Sequence, residues 1–283
     1  MVNHDLSIAG CLTARFRSAC DIHHHDAIKR QLHAHIPGLV FGKEGDQPPI
    51  ITIEHHQSAN PRLECTADEV RYYGAAGEAF PVDLYHLLYG ITRRALLERN
   101  LYCVHAACVG GADGYHLIIG HSGSGKTTLA QNLVEHHGMT LFSGNKTVIR
   151  FEGDGGLTAI AGTPTMTALD KDFNRFAYGL ANDQYAPKAE VPITAITIIR
   201  VNDGVEETQT LGGLSALHTL YPYFMDTVNA DVIVNGKDVF DGTPPAAAKD
   251  ALVAGLTQAF AHNIPVRKIS GSMAYMCRKV AAP

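Results

Sequence analysis

Gly120-His121-Ser122-Gly123-Ser124-Gly125-Lys126-Thr127-Thr128 is the stretch that decides the fold. It satisfies every fixed position of the phosphate-binding pattern GxxxxGK[ST]. Its flanks agree. Residues 115–119 are an apolar run of strand character, and residues 127–137 place Leu129, Leu133 and Val134 on one helical face before a stop at Gly138. In a strand–loop–helix setting the glycines let successive backbone N–H groups turn inward, and the positive end of the helix adds to the field there. Lys126 is spaced to reach the β- and γ-phosphates of a nucleotide, and the Thr127 hydroxyl to ligate Mg²⁺. The expectation is a triphosphate site, for ATP with Mg²⁺, lined by all the residues of the loop.

Working outward, residues 102–109 form a second apolar strand candidate that carries His105, and the turn Gly110-Gly111-Ala112-Asp113-Gly114 separates it from the loop's own strand. Beyond the helix come strand candidates at 139–142 and 147–151, with Ser143-Gly144-Asn145-Lys146 between them. The run from Leu101 through the glycine turn to Thr128 resembles the HPr kinase/phosphorylase family, which shares a fold with PEP carboxykinase. The resemblance is specific over residues 101–151. It implies an α/β, PEP carboxykinase/HPr kinase-like core and an ATP-dependent kinase that moves the γ-phosphate to a hydroxyl of a small molecule or peptide. It also implies that His105 lies near the γ-phosphate or the acceptor. Oligomerisation enters only as an analogy with that family.

The chain departs from the family at one place. Where the family carries an acidic pair that holds Mg²⁺ and takes the acceptor proton, this chain has Gly144 and Asn145, and no acidic residue occurs between Glu135 and Glu152. Asn145 offers only a neutral oxygen. Lys146 stands beside the same site and is a candidate to neutralise charge on the transferring group, or else a solvated loop lysine. Two readings follow. Another group acts as base, with His105, Glu152 or Asp154 as candidates, or the chain binds nucleotide without transferring phosphate, as a sensor or scaffold. Phosphoryl transfer rests mainly on positioning and charge neutralisation, so loss of the pair does not by itself abolish it. ATP hydrolysis coupled to a conformational step is a third, lower-ranked reading.

The rest of the chain fits this frame. The first 80 residues read as a small β-rich region, with strand candidates at 12–17, 50–54 and 69–73 and a helix at 26–35. Pro81 opens an amphipathic helix with Leu84, Leu87, Leu88, Ile91 and Ala95 on one face, ending at Asn100. Residues 81–283 then form the core, in which 193–201 is the clearest strand and 214–228 and 245–262 are helices. The polar stretch from Asp170 to Lys188 reads as a long loop, with Arg175 and Lys188 as contacts for an anionic acceptor or for the phosphates. Ser270-Gly271-Ser272-Met273 reads as a turn.

Composition narrows the function classes. The 283 residues are 46% hydrophobic and 18% charged, with 23 Lys and Arg against 28 Asp and Glu, a net charge of −5. No basic field invites nucleic acid. No apolar run approaches the ~20 residues of a membrane helix and no signal peptide is visible, which points to a cytoplasmic protein. The six cysteines have no metal-site spacing. The cluster His23-His24-His25-Asp26 reads as a polar loop entering a helix, because adjacent side chains on a regular element diverge. His55-His56 and His136-His137 read the same way.

Overall fold

Residues 2–18, 32–42, 48–60, 62–65, 69–74, 82–169, 175–179, 190–228, 232–234, 237–240, 246–262 and 264–281 are described by the computed structural model of the chain. They form a mixed α/β structure built on two mixed sheets.

The first sheet contains β1 (Val2–Ile8), β2 (Leu12–Ser18), β3 (Val40–Phe41), β4 (Thr52–Gln57), β5 (Arg62–Cys65) and β6 (Glu69–Gly74), in the order β3-β1-β2-β4-β6-β5. β2, β4 and β6 run parallel, and the outer strands pair antiparallel. Alternation sets its faces. Leu6, Ile8, Ala14, Phe16, Ile53 and Val70 point into an apolar layer, while Arg15–Asp5 and Arg17–Glu54 pair on less buried positions. Helix α1 (Val82–Leu97) closes this layer with Tyr85, Leu87, Leu88 and Leu96, and Asn100 in the left-handed region (φ 56°) turns the chain into the second sheet.

That sheet takes β7 (Leu101–Val104), β8 (Ala106–Gly111), β9 (Gly114–Ile119), then helix α2 (Lys126–His137), β10 (Thr140–Ser143), β11 (Thr147–Phe151) and β12 (Leu157–Gly162). After the hairpin of β13 (Thr165–Leu169) and β14 (Arg175–Gly179) follow β15 (Val191–Val201), β16 (Glu207–Leu211) and helix α3 (Gly213–Val228). A short pair, β17 (Val232–Val234) and β18 (Lys237–Phe240), precedes helix α4 (Ala246–Ala261), β19 (Val266–Gly271) and helix α5 (Met273–Ala281). The eleven-residue β15 is central: β9 and β19 flank it in parallel, and β12 joins its first residues. Its β-branched residues suit a strand covered on both faces. Ile196 and Ile198 face the layer under α3 and α4, and Ile199 faces the one under α2 and α5. Each fully buried Leu or Ile here contributes about 1.5–3 kcal/mol.

The expected single strand over 102–109 is two strands. The chain bends at an exposed His105, so that β7 pairs with β11 while β8 pairs with β9 and β10. The long loop expected from Asp170 holds strand β14, Arg175 included, paired with β13. Ser270 and Gly271 belong to β19, and the Ser272 hydroxyl receives the Tyr275 N–H (3.3 Å) at the start of α5, an N-cap rather than a bare turn. Of the helix expected over 26–35, residues 32–35 are helical and the remainder lies outside the described residues, as do Cys20, the His23–His25 cluster and Lys188.

Candidate functional site

Residues 120–125 join β9 to α2, whose first residues are Lys126, Thr127 and Thr128. Gly125 caps the helix in the left-handed region (φ 90°, ψ 12°), a conformation that glycine adopts without strain. The Ser124 N–H closes onto the His121 carbonyl at 3.0 Å. His121, Ser122 and Gly123 form the exposed rim, and Thr128 is exposed on the first turn of the helix. Ser124 folds its side chain against Gly120, and its hydroxyl is buried with no partner among the described residues. Beneath the rim Lys126 is 7% exposed, and its ammonium donates to the carbonyls of Gly120 (2.7 Å) and His121 (3.0 Å). Burial pushes its pKa down to about 8. Such a lysine gains from a phosphate partner that restores a counter-charge. The half-buried Thr127 hydroxyl makes no hydrogen bond with the described residues. The unpartnered Ser124 hydroxyl and the half-buried Thr127 hydroxyl, with N–H groups of the first helical turn, fit a triphosphate and its Mg²⁺.

Strand register gathers the other expected residues at the same end of the sheet. Ala106 pairs with Ile119, which puts His105 across from the start of the loop. Val104 pairs with Thr147 and Cys108 with Ser143, so the Ser143–Lys146 turn flanks the same bend. That turn is held from within. The buried Ser143 hydroxyl donates to the Lys146 carbonyl (2.6 Å) and accepts the Thr163 N–H (3.2 Å), while Gly144 N–H donates to the Thr163 carbonyl (3.0 Å). The half-buried Asn145 amide makes no hydrogen bond with the described residues.

Lys146 is directed elsewhere. It shares the strand parity of Val148, which faces the first sheet, and its ammonium sits 3.4 Å from the Tyr89 ring centre and donates to the His35 carbonyl at 3.0 Å. Burial pushes its pKa down to about 7; Cys103 opposes that shift and Arg93 adds to it. The lysine expected beside the phosphates therefore ties the turn to the seam between the sheets.

Glu152 and Asp154 sit at the other end of β11. From Thr147 to Glu152 is five residues of extended chain, roughly 16 Å. Glu152 is paired with Arg150 (2.9 Å), which holds its carboxyl below the usual range, and Asp154 accepts the Gly156 N–H (2.9 Å). Both border a shallow groove of about 490 Å³ with His262 and Thr194, remote from the loop. Their expected role as base does not survive this placement.

Sequence reasoning missed Tyr223. From α3 its hydroxyl meets His121 Nε2 at 3.3 Å, and the two rings lie 5.1 Å apart, tilted by 43°. The two residues are 102 positions apart, so no local spacing could have linked them.

The remaining histidine pairs have structural surroundings. His55 is buried against Ser18 (3.1 Å) and Tyr72, His56 meets Glu54 (3.2 Å) and Tyr73, and His136 and His137 end α2 in solvent. Among the described residues no group of three His, Cys, Asp or Glu is placed to hold a metal ion, and no helix is long and apolar enough to cross a membrane. No protein-family model matches the chain, and no curated protein is found similar to it.

Proposed function

We propose that the chain is an ATP-dependent kinase that transfers the γ-phosphate to a hydroxyl of a small molecule or peptide. One observation carries this reading: Gly120–Thr128 runs from β9, which lies parallel to the central β15, to a helix N-terminus, with the Lys126 ammonium buried under the loop on the Gly120 and His121 carbonyls. Backbone N–H groups and the Ser124 hydroxyl would bind the phosphates. Lys126 would exchange its two carbonyl partners for phosphate oxygens and stabilise the charge that moves during transfer. Mg²⁺, held through the Thr127 hydroxyl and the nucleotide itself, would neutralise phosphate charge. His105 and Asn145, at the same end of the sheet, border the space for the acceptor.

The test is transfer from ATP labelled at the γ-phosphate, with Mg²⁺ and an extract of metabolites and peptides. Label on a new hydroxyl compound, lost in Lys126→Ala, supports the kinase; transfer undiminished in Lys126→Ala refutes it. A second reading, a nucleotide-binding sensor or scaffold, is favoured by Gly144 and Asn145 and by the turn of Lys146 toward the seam. Tight ATP binding with the label left on ATP selects it.

A further inference from the structure

We propose that His121, oriented by Tyr223, is the general base that takes the proton of the acceptor hydroxyl. This rests on the kinase reading of the same site, and it supplies the group that the Ser143–Lys146 turn lacks. Asn145 cannot accept a proton at neutral pH, Lys146 is engaged with the His35 carbonyl and the Tyr89 ring, and Glu152 and Asp154 lie at the far end of β11.

His121 is placed where a base is needed. Its own carbonyl lies 3.0 Å from the Lys126 ammonium, so its side chain springs from the segment of the loop at which that lysine meets the β- and γ-phosphates. The residue is exposed and open to an acceptor. Its ring is not left to rotate: the Tyr223 hydroxyl stands 3.3 Å from Nε2 and the tyrosine ring packs 5.1 Å away. A base held by a third group is the recurring arrangement for activating a hydroxyl. Tyr223 is half-buried and burial raises its pKa, which keeps the phenol protonated and neutral beside the imidazole.

In the tautomer with Nε2–H donating to the Tyr223 oxygen, Nδ1 keeps its lone pair. The acceptor O–H bond breaks with its proton passing to Nδ1, the acceptor oxygen bonds to the γ-phosphorus, and the bond from that phosphorus to the β-phosphate oxygen breaks, leaving ADP. The imidazolium, held through Nε2–H on Tyr223, then gives its proton to water. His105, on the neighbouring bend, is the rival that the experiment must separate.

The experiment uses the full chain with γ-labelled ATP and Mg²⁺, following labelled phosphate released to water as the hydroxyl acceptor, with ATP affinity measured separately by calorimetry. His121→Ala is expected to lower turnover by about 10²–10⁴-fold while ATP affinity stays within about threefold, and added imidazole is expected to restore part of the rate. Tyr223→Phe keeps the ring and loses the hydroxyl, and is expected to lower kcat by about tenfold without changing KM for ATP. Wild-type turnover in His121→Ala, or a loss confined to His105→Ala, overturns the base assignment while leaving the kinase reading in place. A wild-type chain that moves no label, either to water or to any hydroxyl compound of the extract of metabolites and peptides, refutes the kinase reading itself, and the base with it.

Discussion

Gly125 carries two constraints at once. Its φ of 90° is a conformation that a residue with a Cβ adopts at a cost of about 1–2 kcal/mol, and a Cβ built there would stand 2.6 Å from Val201 Cγ2. Gly125→Ala is therefore expected to lose roughly 1–3 kcal/mol in denaturant unfolding and to weaken ATP binding more than tenfold in calorimetry, since the helix start must shift. Wild-type values for both would mean that the loop tolerates another path. Lys146 makes a prediction of opposite character, written in pH. Its folded pKa is pushed down to about 7 by burial, against about 10.4 for lysine in an unfolded chain. Between those values the unfolded chain binds more protons, so stability climbs as pH rises, and below pH 7 the cost of burying the charge is present in full. Lys126, pushed down to about 8, acts in the same direction. Cys103 and Cys108 oppose it above pH ~8.5, because burial raises the folded thiols and the unfolded ones ionise first. Unfolding free energy is expected to rise by roughly 1–2 kcal/mol from pH 7 to 8.5, and Lys146→Met to remove most of that rise. An equal rise in the variant would assign the effect to other groups.

At the scale of elements, the Ser143–Lys146 turn is the one whose internal bonds matter most to the site. Ser143→Ala leaves the Lys146 carbonyl and Thr163 N–H short of a partner in a fully buried place, with an expected loss of about 1–3 kcal/mol, read as a lower denaturant midpoint at unchanged slope. An unchanged midpoint would show that the Thr163 N–H to Lys146 carbonyl bond (3.1 Å) suffices. The same turn shows how far the sequence could be read. β9, β11, α2 and β15 were legible because their apolar residues keep a single period and are bounded by glycine or a polar break. β1 was not, since Asp5 and His4 dilute its pattern; Asp5 is tolerated because Arg15 faces it across the hairpin at 2.8 Å. β16 was invisible, an edge strand exposed for most of its length with no apolar face to announce it. In the site, the residues fixed by the loop's own spacing were legible, and the direction of Lys146 was not. Its parity with Val148 decides which layer it enters, and that depends on how the two sheets stack.

For the molecule as a whole, the first sheet is part of the fold that supports the loop. The apolar layer beneath it is shared: Leu101, Cys103, Val148 and Ala161 of the second sheet pack with Leu6, Phe16 and Ile53 of the first and with Tyr85, Leu87, Leu88 and Leu96 of α1. Backbone and side chain also cross the seam, with Gly38 N–H on the Gly162 carbonyl (2.8 Å) and the Lys146 ammonium on the His35 carbonyl (3.0 Å). Removing residues 1–80 would return these apolar side chains to water and take the His35 carbonyl away from the Lys146 ammonium. Re-exposing four of the large ones costs roughly 6–12 kcal/mol, comparable with the ~5–15 kcal/mol that holds an ordinary domain folded. A fragment of residues 81–283 is therefore expected to bind a hydrophobic dye, melt without a cooperative transition and bind no ATP, whereas the full chain melts in one step that ATP shifts upward. A fragment that melts cooperatively and keeps its nucleotide affinity would show that the seam is dispensable. Loss of both together would mean that the Gly120–Thr128 loop takes up its binding conformation only when the layer it shares with the first 80 residues is in place.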